Sequence, residues 1–203
     1  MITTNNNIVL GSKSPRRQSL LKFIVNDFKI RTSDINEEYC SKNADDIVEE
    51  ISEKKSKSIK IQKEEILITS DTMVFYENYK LGKPRNKDEA FKMLSMLSGK
   101  KHYVYTGITF RTLSNITTFN EKTEVYFRKL DEQIINYYIE NFNVYDKAGA
   151  YGIQDFGAVL VEKINGDYYN IMGFPISKIY YNLIDFMRGD GIEYRIITKG
   201  KIT

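Results

Sequence analysis

Ile8-Val9-Leu10-Gly11-Ser12-Lys13-Ser14-Pro15-Arg16-Arg17 is the stretch that decides the fold. Ile8-Val9-Leu10 reads as a short buried strand, and Ser14-Pro15 opens a helix, because proline at the first helical position forfeits no useful donor. A helix start carries unpaired backbone N–H groups and partial positive charge, which suits an anion. Lys13, Arg16 and Arg17 crowd the same turn with the hydroxyls of Ser12 and Ser14. Basic residues oppose the helix dipole there, by about 0.3–1 kcal/mol each. A bound polyphosphate reverses that penalty, each guanidinium gripping phosphate oxygens in bidentate fashion. The plain alternative is a capped helix with solvated arginines.

Outward from this junction, strands and helices alternate, which argues for a mixed α/β fold. The helix from Ser14-Pro15 is expected to run to about Asn26, with Leu20, Leu21 and Ile24 inward. Phe28 to Thr32 alternates as a strand. Asp45 to Gln62 reads as a helix, and Ile66 to Ser70 and Thr72 to Tyr76 read as strand-like, with Asp71 between them. Lys87 to Leu97 is a helix capped by Asn86 and Glu89. His102 to Thr112 and Thr117 to Leu130 form a hairpin through Ser114-Asn115. Asp131 caps a helix whose stripe is Ile134, Ile135, Tyr138, Ile139 and Phe142. A second hairpin is expected around Asn165-Gly166, joining Gly157–Ile164 to Asp167–Met172. Pro175 starts the last amphipathic helix, and the tail after Arg188 reads as a short terminal strand or an ordered extension.

The chain has 203 residues, enough for one domain over residues 1–203, with two lobes around a cleft. Its 30 basic and 27 acidic residues leave +3, too even a balance to argue for nucleic-acid binding. The single cysteine, Cys40, excludes an internal disulfide and a Cys-based zinc site, and the single histidine, His102, excludes a multi-His metal site. Any metal is therefore expected on carboxylates, which favours a hard ion, magnesium or manganese. No long apolar run reads as a membrane span, and the polar N-terminus lacks a signal-peptide pattern, so the expected location is cytoplasmic.

Three further places carry candidate chemistry. Lys55 falls on the apolar stripe of its helix, between Ile51 and Ile59, where a lysine is costly unless its charge meets a partner or snorkels to the surface. Asp71 ends an apolar run; it is either a turn residue or a carboxylate that holds a metal or polarises water. Glu37 or Glu38 can supply a second carboxylate. Leu81-Gly82-Lys83-Pro84 is not a Walker A loop, yet Lys83 can contact a phosphate. In Tyr151-Gly152-Ile153-Gln154, the Gln154 amide can read a base edge, since it both donates and accepts. His102 reads as structural.

Together these residues resemble the Maf family. Leu10 to Arg17 is similar to its Ser-x-Ser-Pro-Arg-Arg signature, and Ser70-Asp71-Thr72-Met73-Val74 to its Asp-Thr-x-Val. Leu81-Gly82-Lys83-Pro84 with Leu97-Ser98-Gly99, His102, Val104, Thr106 and Gly107 resembles its central block, and Asp146 to Gln154 its downstream block. The likeness runs in order from Ile8 to about Leu183. It implies a mixed twisted sheet with flanking helices and a cleft between two lobes, hydrolysis of nucleoside triphosphates to monophosphate and pyrophosphate, and a divalent cation. It also implies that Ser12, Arg16, Lys55 and Lys83 are phosphate-side residues and that Glu37 and Asp71 are the acidic pair, with Asp71 as general base or metal ligand. The Asp-Thr and Tyr-Gly-Ile-Gln pattern is similar to the branch acting on dTTP and UTP, with Arg16, Thr72 and Gln154 at the positions linked to that preference. The rivals are 7-methyl-GTP hydrolysis and a non-catalytic regulatory role in septum formation. A homodimer is expected from the family. Ile51-Ser52 and Lys55-Ser56 depart from the usual Leu-Ala and Lys-Ala, and Gly173-Phe174-Pro175 from Gly-Leu-Pro.

Overall fold

The structure is a computed structural model and describes residues 1–197. The chain forms two compact units. The first comprises Met1–Asp71, Gly107–Asn120 and the chain from Ile176 on; the second comprises Thr72–Thr106 and Glu121–Pro175. Nine strands and six α-helices are present among the described residues. The main sheet has the strand order β3-β2-β4-β6-β7-β8, with β5 paired to β4. No described helix is long and apolar enough to cross a membrane.

In the first unit, β1 (Ile2–Thr4) pairs antiparallel with β9 (Tyr194–Ile196), so the expected terminal strand forms. Residues 198–203 of that tail lie outside the described chain. Strand β2 (Asn7–Leu10) runs parallel to both β3 (Lys29–Ile30) and β4 (Glu65–Tyr76), with Ile8 opposite Ile66 and Leu10 opposite Ile68. Its unbroken apolar run fits a strand covered on both faces, and Val9 and Leu10 are fully buried. Where β3 ends, Arg31 forks onto the buried carboxylate of Glu65 at 2.6 and 2.8 Å. That fork holds the Glu65 pKa below its ordinary value.

Three helices belong to this unit: α1 (Pro15–Leu21), α2 (Ala44–Ser58) and α6 (Ile176–Gly189). Helix α2 buries Ile47, Val48 and Ile51 together with the small residues Ser52 and Ser56. Small side chains let it come very close to β6 (Lys101–Arg111) at Gly107. A Cβ on Gly107 would overlap the Val48 carbonyl and lie 2.7 Å from the Glu49 nitrogen. Ser52 fastens α2 to both β6 and β4: its hydroxyl lies 3.0 Å from that of Thr109 and donates to the Thr69 carbonyl (3.2 Å), and Thr69 donates back to the Ser52 carbonyl (2.8 Å).

In the second unit, β4 turns back through Glu77 at φ 50° into β5 (Tyr79–Leu81). Helix α3 (Lys87–Leu97) starts at Asn86, whose side chain accepts from the Glu89 N–H at 2.9 Å. Helix α4 (Glu132–Asn141) starts at Asp131, which accepts from the Ile134 N–H at 2.8 Å. Both caps and the span of α3 follow the sequence expectation, whereas α4 stops at Asn141 and leaves Phe142, expected on its stripe, in extended backbone. The two helices contribute Leu94, Leu97, Ile135 and Tyr138 to a core shared with Val74, Val104, Val125 and Phe127.

Several expectations are corrected. Helix α1 ends at Leu21, not near Asn26, because the chain tightens into i→i−3 bonds from Phe23 to Leu20 and from Ile24 to Leu21. The Phe28–Thr32 strand shrinks to Lys29–Ile30. Helix α2 stops at Ser58, and Ile59 is extended, so Ile59 leaves the stripe that was to flank Lys55. Asp71 does not interrupt anything: β4 is continuous from Glu65 to Tyr76. The second hairpin is absent. Strand β8 (Val161–Asn165) pairs with β7 (Ile116–Phe127), while Tyr168–Ile171 is a short helix, α5. Asp167 decides this by capping α5, accepting from the N–H groups of Tyr169 (2.6 Å) and Asn170 (3.2 Å). Phe156–Leu160 is a 3₁₀ segment capped in the same way by Asp155.

Candidate active site

Ser12, Arg16, Arg17, Glu37, Lys55 and Asp71 all belong to the first unit. β2 delivers Ser12, which is buried, and its Oγ accepts from the Ser14 N–H at 3.2 Å. Ser14 makes no side-chain cap to α1. Arg17 reaches back across the turn: its Nη1 donates to the Ser70 carbonyl at 2.8 Å and lies 3.5 Å from Ser12 Oγ. The basic turn is thereby tied to β4 one residue before Asp71. Burial lowers the Arg17 pKa to about 10; Asp71 and Glu37 pull it up and Arg16 pulls it down. Arg17 stays a cation at neutral pH.

Asp71 is buried, so its charge needs compensation. Lys55 supplies it, with Nζ 2.5 Å from Asp71 Oδ1 and 2.7 Å from Glu37 Oε1. The lysine side chain is 19% exposed, so it does not snorkel; it ends in a carboxylate pair. Two acidic oxygens thus converge on one cationic point.

The loop that carries Glu37 is held by α2. Glu50 accepts from the N–H groups of Cys40 and Ser41 (both at 3.0 Å) and from the Ser41 hydroxyl (2.6 Å). Lys54 bonds Glu50 at 2.7 Å and donates to the Glu38 carbonyl at 2.7 Å. Lys54 and these loop donors push the Glu50 pKa down to about 2. With the loop so fixed, the Glu38 carboxylate accepts from its neighbour Asn36 (2.6 Å), and Glu37 is the one that meets Lys55. The sequence reading did not find Glu50 or Lys54; their only signal was an i,i+4 pair that resembles ordinary surface decoration.

Thr72, Lys83 and Gln154 belong to the second unit. Thr106 donates to the Asn170 carbonyl at 3.2 Å, which leaves Thr72 to donate to Thr106 at 3.0 Å. Lys83 is exposed, beside a buried Pro84. The Gly82 carbonyl accepts from the Gly149 N–H at 3.0 Å, so the Lys83 loop adjoins the Asp146–Gln154 segment. Gln154 is exposed between buried Ile153 and half-buried Asp155. His102 is fully buried, its Nε2 2.8 Å from the Tyr151 hydroxyl, and desolvation lowers its pKa to about 3. It is a neutral core residue.

Chemically, the first unit can hold an oxyanion at its basic turn and a hard cation at the adjoining acidic pair, within an α/β fold. The chain belongs to the Maf family: the Maf-like protein model matches residues 7–186. A dTTP/UTP pyrophosphatase of Thermosipho melanesiensis is 48% identical over 178 residues, 88% of this chain and 97% of that protein. A dTTP/UTP pyrophosphatase of Fusobacterium nucleatum is 44% identical over 195 residues, 95% of this chain and all of that protein. Among solved structures, the Staphylococcus aureus Ham1 protein aligns over 91% of this chain and 99% of its own, at TM-score 0.49 and 16% identity.

Proposed function

We propose that residues 1–203 form one nucleotide pyrophosphatase that hydrolyses dTTP and UTP to the monophosphate and pyrophosphate. The observation that carries this reading is the convergence of Asp71 and Glu37 on Lys55, in the unit that carries the arginine turn. The relatives named dTTP/UTP pyrophosphatase support the choice of substrate.

In this mechanism Arg16, Arg17 and Lys83 neutralise phosphate oxygens, and the turn at Ser12 adds neutral donors. Asp71 takes a proton from the attacking water as that water's oxygen bonds to the α phosphorus. The bond from the α phosphorus to the α–β bridging oxygen breaks, and its electron pair leaves with pyrophosphate. Lys55 and the arginines stabilise the charge that gathers on the transferring group. Thr72 and Gln154 are assigned to the base. A divalent cation, magnesium or manganese, fits Asp71 and Glu37. Magnesium is commonly held by one or two carboxylates plus substrate phosphates, and Asp71 and Glu37, which both reach Lys55 Nζ, would hold it with Lys55 turned to the phosphates. When bound, it would supply charge neutralisation at the phosphates. Among the described residues no group of three or more acidic, histidine or cysteine side chains exists to cage a metal without substrate. Acting on free triphosphates, the enzyme would work in the cytoplasm and keep unwanted pyrimidine nucleotides from polymerases.

The test is a panel of triphosphates, 7-methyl-GTP included, run with magnesium and with manganese. Monophosphate and pyrophosphate from dTTP and UTP, without diphosphate, is the expected result. Preference for 7-methyl-GTP would overturn the substrate assignment, and turnover of none would overturn the enzyme.

A further inference from the structure

The second unit contains a buried polar network that neither the phosphate chemistry nor the metal uses. Lys147 is only 7% exposed, yet it carries a charge. Its ammonium donates to the Asn143 carbonyl, bonds Asp146 at 2.9 Å and lies 3.8 Å from Asp155 Oδ2. The other oxygen of Asp155 accepts from the Tyr138 hydroxyl (2.9 Å) and from the Gly157 N–H (2.9 Å). The Tyr138 hydroxyl in turn accepts from the Gly152 N–H at 2.9 Å. The chain from Gly152 to Gly157 is therefore pinned at both ends by one tyrosine–aspartate pair that a buried lysine backs.

Gln154 stands in the middle of that pinned chain and is its exposed polar side chain. Gly152 shows how closely the parts fit. A Cβ there would lie 2.6 Å from Lys147 Cε and 2.9 Å from Gln154 Nε2. The lysine stem and the glutamine amide thus fill the space a side chain at 152 would need. An amide specifies a base edge only if its oxygen and nitrogen are held in fixed directions, because a freely rotating amide offers donor and acceptor interchangeably. Burying a lysine and a tyrosine hydroxyl to fix a surface loop is costly for a merely connecting turn.

We propose that Tyr138, Asp155 and Lys147 are positioning residues that aim the Gln154 amide and so set the choice of pyrimidine base, a reading that rests on the proposed pyrophosphatase activity. Uracil and thymine present a carbonyl oxygen where cytosine presents an amino group, so a fixed amide nitrogen favours the former. Loosening the network relaxes that choice and leaves the phosphate chemistry in place.

The experiment compares the parent with Tyr138→Phe, Lys147→Met and Gly152→Ala, measuring kcat and KM for UTP and for CTP, with thermal midpoints alongside. Tyr138→Phe removes one hydroxyl from a buried ring, Lys147→Met keeps the stem against Gly152, and Gly152→Ala removes no hydrogen-bonding group but displaces the amide. The expected result is about a tenfold fall in the UTP-to-CTP ratio of kcat/KM, the scale of one well-aimed hydrogen bond. It should arise mainly from KM, with kcat for UTP within about threefold of the parent. A selective parent with variants that keep its selectivity, or that lose kcat equally on both substrates, overturns the inference alone. A parent inactive on every triphosphate overturns the proposed function, and the inference with it.

Discussion

The ammonium of Lys55 lies 2.5 Å from Oδ1 of Asp71. This pair joins the last turn of α2 to the middle of β4, and each residue gives the other its reason to be buried. Asp71 alone would be an uncompensated charge in the core, and Lys55 alone would be a cation on an apolar helix face.

Asp71→Asn keeps the shape and a hydrogen bond to Lys55 but removes the group that takes the proton. Pyrophosphate release should fall by about 10²–10⁴-fold, the usual share of a general base. The circular dichroism spectrum should stay that of the parent. Turnover close to the parent would mean that Asp71 is only a structural partner for Lys55.

Glu37 and Glu38 are neighbours in sequence, but only Glu37 meets Lys55. Glu37→Gln should raise the magnesium concentration for half-maximal rate by about tenfold, whereas Glu38→Gln should leave it within about twofold, as expected when one of two carboxylate ligands is neutralised. Magnesium titrations of both variants at saturating UTP check this. The opposite ranking would assign the second carboxylate to Glu38.

Gly107→Ala adds one methyl group where α2 touches β6. The new Cβ would overlap the Val48 carbonyl, which is helix backbone and has no rotamer to yield. The cost should be at least about 1–3 kcal/mol, the usual toll of overpacking. Because α2 carries Lys55, the rate should fall with the stability. Urea unfolding and a rate measurement on the folded fraction separate the two effects. Parental values in both would show that the helix moves away freely.

The contrast between Lys87–Leu97 and Ser70-Asp71-Thr72 shows what the sequence makes legible. Helix α3 was readable end to end because its cap, Asn86, and its stripe are local features that tertiary contacts did not override. Ser70-Asp71-Thr72 looked like a break between strands because three polar residues interrupt an apolar run. The interruption is filled by remote partners: Arg17 on the Ser70 carbonyl, Lys55 on Asp71 and Thr106 on Thr72. Asn165-Gly166 signalled a hairpin turn, and the stronger local fact was Asp167, one residue later, starting a helix. Of the candidate site, the strand-to-helix turn before Pro15 and the need of Lys55 for a charged partner were legible. Residue patterning left Glu37 and Glu38 open, and only the resemblance pointed to Glu37, since Glu50 and Lys54 fix that loop from a different segment.

Ser52 and Ser56 lie on the same buried face of α2 and differ in their partners. Ser52 bonds Thr69 and Thr109, while the Ser56 hydroxyl is buried with no partner among the described residues. A buried hydroxyl without a partner costs about 1–3 kcal/mol. Ser56→Ala should therefore be stabilising by about 1 kcal/mol, and Ser52→Ala destabilising by a similar amount. Paired urea titrations measure both. A destabilised Ser56→Ala would show that its hydroxyl has a partner in solution.

His102 gives the protein a predictable acid response, because it is the single histidine. Burial lowers its pKa from 6.5 to about 3, so the folded state keeps it neutral while the unfolded state protonates it below 6.5. The unfolded state then binds more protons, and stability must fall as the pH drops from 6.5 toward 3. Between pH 7 and pH 5, before most carboxylates titrate, the loss should be about 2 kcal/mol from this group alone. His102→Gln has no imidazole to protonate, and a glutamine can still bond the Tyr151 hydroxyl. The variant starts from a lower stability, since the ring also packs edge-on against Phe127, but its stability should be nearly level over the same range. Unfolding free energies at pH 5, 6 and 7 for both proteins give the two slopes directly. Equal slopes would mean that the imidazole is protonated within the folded core, and would overturn the prediction.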